Sequence, residues 1–69
     1  MKLKRRFQIR AFEEVAMGLQ SVALPPFRTK QDVWARQCYK SANIVRKLEG
    51  QAPKTYLMFN QKGKLEEVR

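Results

Sequence analysis

Histidine is absent from this 69-residue sequence, cysteine occurs once, glycine and proline three times each, and acidic residues number six. Each scarcity removes a class of chemistry. Without histidine, the commonest general base and metal ligand is missing. Cys38 alone can form no internal disulfide and no structural zinc site, which fits a reducing, cytoplasmic setting. Arg36 and Lys40 flank it and would activate a thiol, yet its place on an apolar stripe reads as inert and buried. The adjacent carboxylates, Glu13-Glu14 and Glu66-Glu67, point apart on a helix or a strand, so neither pair converges on a substrate. Three scattered glycines build no phosphate-cradling loop. The expectation is a protein that is not an enzyme and carries no cofactor or metal. Apolar runs reach only a few residues, and Phe7-Gln8-Ile9-Arg10 interrupts the basic start. Neither a bilayer span nor a secretory signal is expected.

Positive charge is what the sequence has in excess. Fifteen Lys and Arg against six acids give a net charge of +9. Lys2, Lys4, Arg5, Arg6 and Arg10 fall in the first ten residues without an acid, and Arg28, Lys30, Arg36, Lys40, Arg46 and Lys47 follow with Asp32 alone among them. Such a chain attracts polyanions and releases their condensed counterions on binding. Nucleic acid is the expected partner, DNA ahead of RNA, with an acidic protein surface as the alternative. Residues of 43% hydrophobic character, Trp34 included, exclude a disordered tail. A chain this short buries only about 60% of its unfolded surface, so one domain is the ceiling and homodimerisation would help it.

Two joints divide the chain into three blocks. Leu24-Pro25-Pro26 ends any preceding helix, and Gly50-Gln51-Ala52-Pro53 carries a helix stop. In the first block, residues 1–10 alternate basic and apolar as a strand or arm would. From Phe12 the apolar residues Phe12, Val15, Ala16, Leu19 and Val22 recur at helical spacing, with Phe7 and Ala11 able to extend the stripe backwards. A helix over roughly 10–21 is expected, with Glu13 and Glu14 in its first turn. The second block, Thr29 to Glu49, places Trp34, Cys38, Ala42, Val45 and Leu48 on one face and Arg36, Lys40, Asn43 and Lys47 on another. It is one continuous helix or two short ones broken near Tyr39. The third block reads as a hairpin, Thr55–Phe59 and Leu65–Val68, turning at Gln61-Lys62-Gly63-Lys64 with Gly63 at positive φ. The expected fold is a small single α+β domain, two or three helices followed by a C-terminal β-hairpin.

Thr29-Lys-Gln-Asp-Val33, Tyr39-Lys-Ser-Ala-Asn-Ile44 and Arg46-Lys-Leu48 together resemble a helix-turn-helix, and the hairpin from Thr55 to Arg69 then resembles the wing of a winged helix domain. Two departures, Cys38 in place of the turn glycine and Gln37 where an apolar residue is common, favour the one-helix alternative. The resemblance implies a recognition helix in the major groove, with Asn43 paired to adenine and Arg46 to guanine. Lys40 and Lys47 would hold phosphates, as would Lys62 and Lys64 from the wing tip. Lys4, Arg5 and Arg6 would form an arm, and Arg36 belongs to the same basic stripe.

Other uses of the same residues stay open. Phe7 beside Arg6, Phe27 beside Arg28, and Tyr56 near Lys54 interleave rings and charge as single-strand binders do. Phe7, Phe27 and Phe59 are nevertheless expected in the core. A protein-binding role would use Phe27, Trp34 and Tyr39 as anchors. Trp34 discriminates: buried, it serves the core; exposed, it serves a partner.

Overall fold

The computed structural model describes residues 3–21, 28–60 and 62–69. Helix α1 spans Leu3–Ser21, helix α2 spans Arg28–Leu48, and strands β1 (Tyr56–Phe59) and β2 (Leu65–Val68) form an antiparallel hairpin. The α+β order of helices followed by a hairpin is therefore present. The joint at Pro25-Pro26 and the ring of Phe27 lie outside the described residues. No helix among those described is long and apolar enough to cross a membrane.

Two local expectations change, and the open choice over α2 falls to the one-helix alternative. Residues 3–10 are helical, not a strand or arm, so α1 runs on from the basic segment without a break. Arg5, Ile9, Phe12 and Ala16 share its inward side, a 3.6-residue period that overrides the apparent alternation of the first ten residues. Glu13 and Glu14 consequently sit mid-helix, with no acid in the first turn. Helix α2 is unbroken through Cys38 and Tyr39, so the turn of a helix-turn-helix is not formed over residues 29–48. Its 21 residues contain no glycine or proline before Gly50, and nothing in them interrupts the hydrogen-bond ladder.

The helix stop falls where expected. Gly50 adopts φ 72°, its N–H donates to the Lys47 carbonyl at 3.0 Å, and the Gln51 N–H reaches the Arg46 carbonyl at 2.8 Å. These two bonds make a Schellman cap, which an L-side chain at Gly50 would strain. At the hairpin turn Gly63 has φ 78°, and Asn60 Oδ1 accepts from the Lys62 and Lys64 N–H groups at 2.9 and 3.0 Å. That side chain satisfies the turn's backbone donors in the manner of an Asx turn.

The helices run antiparallel, and small residues set how closely they approach. Ala16, Ala35 and Ala42 are fully buried. Ile9, Ala42 and Val45, with Phe12 packed against them, form one core cluster. Ala16, Ala35, Tyr39, Tyr56, Met58 and Val68 form the other, where the helix pair meets the hairpin. The expected stripe of α2 holds at Ala42 and Val45, which are buried, and at Cys38, which packs against the core, but its ends do not: Ala35 and Tyr39 face inward, while Trp34 is 58% exposed and Leu48 lies on the surface. The hairpin accounts for the inward turn of Ala35 and Tyr39. The Tyr56 ring stacks on Tyr39 with centroids 4.1 Å apart and planes 18° from parallel, and Met58 beside it needs a small neighbour such as Ala35. Such a ring pair adds about 0.5–1.5 kcal/mol beyond its buried area. Phe7 and Phe59, expected in the core, are exposed.

Candidate nucleic-acid interface

Acids and arginines settle first, and they hold the fold. Glu13 of α1 accepts from the Tyr56 hydroxyl at 2.8 Å and from Arg46 Nη2 at 3.3 Å, with Lys54 Nζ 3.5 Å away. Arg46 also donates to the Tyr56 hydroxyl and, at 3.1 Å, to Asn43 Oδ1. Asn43 bonds the Lys54 backbone in both directions, its amide donating to the carbonyl at 3.0 Å and its Oδ1 accepting the N–H at 2.9 Å. The network ties α1, α2 and the segment entering β1 together. Burial works to raise the Glu13 pKa, but the Tyr56 hydrogen bond and the Arg46 and Lys54 charges outweigh it, and the carboxyl falls below its ordinary 4.5. Burial pushes the Tyr56 phenol up against the pull of Arg46, so it remains a donor to Glu13.

This arrangement corrects two base-reading assignments. Asn43 is only 7% exposed and both ends of its amide are engaged, so no edge is left for adenine. Arg46 faces Glu13 and Tyr56, not solvent, and its fork is unavailable to guanine. Arg36 pairs with Glu66 at 2.6 Å, and the Arg36 and Asn60 hydrogen bonds hold that carboxyl below its ordinary range. Arg5 pairs with Glu49 at 3.4 Å and Arg10 with Glu14 at 3.1 Å. Tyr39, proposed as a partner anchor, is buried against Tyr56 and bonded by Gln20 at 2.6 Å.

The lysines are left over. Lys4, Lys30, Lys40, Lys47, Lys62 and Lys64 are exposed and have no carboxylate partner among the described residues, and Arg6 is in the same condition. Lys40 and Lys47 stand on one side of α2 and, with Arg69, line a groove of about 680 Å³ floored by Ile44, Pro53 and Gln51. No acidic side chain among the described residues borders it. Arg69 reaches this place through the hairpin register, its Nε donating to Thr55 Oγ1 at 2.9 Å. A second hollow of about 340 Å³, lined by Arg6, Arg10, Arg46 and Glu13, shares Gln51 with the first. Its one carboxylate is already neutralised by Arg46 and Lys54. A basic track thus runs continuously over the end of the molecule where the start of α1, the end of α2 and the hairpin base meet.

Of the sequence-derived candidates, Arg6, Lys40 and Lys47 come together on this track. Lys62 and Lys64 do not. They lie at the hairpin tip, and Lys62 borders a different hollow of about 330 Å³ near Thr29 that also contains Asp32 and Glu66, both repulsive to a phosphate. Arg69 and Gln51 were not singled out from the sequence. Set against family models, curated proteins and solved structures, the chain matches none.

Proposed function

We propose that this chain is a non-catalytic nucleic-acid-binding protein that holds the phosphate backbone, of duplex DNA in preference to RNA, and serves as a small regulatory or accessory factor. The carrying observation is the groove lined by Lys40, Lys47 and Arg69 without a bordering acidic side chain among the described residues. Lysines are compact point charges suited to phosphate, whereas Arg46, the arginine expected to read guanine, is engaged internally. Lys40 and Lys47 are seven residues apart, about 10.5 Å along the helix. That is an axial span of about three phosphates on one duplex strand. Contacts of this kind position a protein without specifying sequence. Anisotropy titrations with duplexes of unrelated sequence at about 0.1 M salt are therefore expected to agree within about tenfold, and a preference of about 10³ for one sequence would contradict backbone recognition.

A second reading, a basic adaptor or inhibitor docked on an acidic protein surface, draws support from Trp34. Its exposure at 58%, with Ile44 and Leu48 also exposed on α2, supplies the kind of anchor that carries interface energy. The two readings separate by mutation. Trp34→Ser should leave DNA affinity and its salt dependence unchanged, since the indole lies off the basic track; a loss of about tenfold or more would assign Trp34 to the nucleic-acid surface.

A further inference from the structure

The groove of Lys40, Lys47 and Arg69 carries two chemistries, and a phosphate backbone uses only one of them. Its rim is cationic, with no acidic side chain among the described residues, and its floor contains Ile44 and Pro53. Ile44 is 59% exposed, and Leu48, one helical turn further on, is 65% exposed. The methylene stems of the two lysines widen this apolar strip while their charged heads reach outward. In a duplex the base faces are stacked inside, so the backbone satisfies the cations and leaves the floor to water.

We infer that the groove also receives an acidic amphipathic helix of a partner protein, which competes with nucleic acid for Lys40 and Lys47. The competition rests on the nucleic-acid reading; the helix binding does not. Charge favours this occupant first. Three cations without a bordering acidic side chain call for carboxylates and repel another basic chain, a second copy of this +9 protein included. Pattern favours it next. Lys40, Ile44 and Lys47 stand at spacings of four and three on α2, so an apolar position lies between two cations along about 10.5 Å of the groove. Two turns of a partner helix cover that length. Its apolar residues, at helical spacing, would rest on Ile44 and Pro53, with glutamates on both flanks for the lysines and Arg69. Shape favours it as well, because the floor is recessed between α2 and the chain from Gln51 to Pro53. A flat anionic bilayer meets only the rim of such a groove, whereas a helix fills it.

Anisotropy of the full chain with two labelled peptides of about 15 residues tests this. One peptide has leucines at helical spacing and glutamates elsewhere; the other has the same composition in scrambled order. At about 0.1 M salt the first is expected to bind with a dissociation constant of about 10–50 µM, and the second at least about tenfold more weakly. Ile44→Ser should weaken the amphipathic peptide at least about tenfold and leave duplex affinity within about twofold. Its far-UV circular dichroism spectrum should not change, because the side chain lies outside the core. Lys40→Ala with Lys47→Ala should weaken both ligands, and unlabelled amphipathic peptide should displace a labelled duplex. No peptide binding up to about 500 µM would overturn the inference, whether or not the duplex or anionic vesicles bind. So would equal binding of the two peptides, or a peptide lost in Trp34→Ser and retained in Ile44→Ser. Peptide and duplex bound together without displacement would overturn the competition. Peptide binding by a chain that binds no duplex would remove the nucleic-acid reading and leave the helix site standing.

Discussion

Replacing Lys40 and Lys47 together with alanine is expected to weaken duplex binding about 60-fold near 0.1 M salt. Each phosphate contact contributes about −0.9 to the slope of log affinity against log salt. Referred to 1 M salt, where counterion release contributes nothing, two contacts give that factor at 0.1 M. The slope itself should fall by about 1.8. Stability should not change, because both side chains are exposed and neither has a carboxylate partner among the described residues. Salt-dependent anisotropy of the double variant checks this. Lys62→Ala with Lys64→Ala makes the contrast: those lysines sit at the hairpin tip, off the track, with Lys62 bordering the hollow that holds Asp32 and Glu66, and should shift the slope far less. A tip variant as damaging as the groove variant would move the interface to the hairpin.

Glu13→Ala should be the most destabilising single change at a polar position. It removes the acceptor shared by Tyr56 and Arg46, both of which remain largely shielded. Hydrogen bonds to a charged group are worth about 1.5–3 kcal/mol each, and the groups left unsatisfied lose more than an average pair. A cost of about 3 kcal/mol follows. The Lys54 contribution is small because its side chain is mostly in solvent. A domain of this length holds only about 3–10 kcal/mol in total. The melting temperature should therefore drop by about 12–24 °C, readable by circular dichroism. The same carboxylate sets a pH dependence. Its folded pKa lies below the ordinary 4.5, so its contribution is present above that value and is lost as pH falls through the folded pKa. Wild-type stability should decline below about pH 4.5, and Glu13→Gln should show a flatter acid limb from a lower plateau. An acid limb identical to wild type would assign the pH dependence to other carboxylates.

Element order was readable because punctuation and period agree. Gly50 stands where a Schellman cap requires it, Gly63 where the turn needs positive φ, and the aromatic, β-favouring run Thr55–Phe59 marks the first strand. The start of α1 was obscured because Lys2, Lys4, Arg6 and Gln8 alternate with Leu3, Arg5, Phe7 and Ile9 and imitate a strand with one basic face. A longer window shows Ile9, Glu13, Ala16 and Gln20 at spacings of four, three and four. Two of those four inward positions are polar, which is why a search for apolar periodicity passes over Glu13 and Gln20. The middle of the α2 face, Cys38, Ala42 and Val45, was legible, but its first turns were misplaced by one residue for a related reason. Helical spacing admits both the Trp34 stripe and the Ala35–Tyr39 stripe, and only the hairpin, through Tyr56, selects between them. The basic residues could be counted but not sorted. Which arginines are tied to carboxylates depends on contacts such as Arg36 with Glu66 and Arg46 with Glu13, thirty or more positions apart. Arg69 joins Lys40 and Lys47 only because the hairpin returns the chain to the end of α2.

The most direct test of the central claim is the affinity of the unmodified chain for a mixed-sequence DNA duplex, measured by fluorescence anisotropy at about 50 and 200 mM salt. Arg6, Lys40, Lys47 and Arg69 acting as four phosphate contacts predict a slope of about −3.6, a loss of about 150-fold between the two salts. Equal affinity at both salts, or no binding at about 50 mM, would contradict the basic track as a phosphate-binding surface.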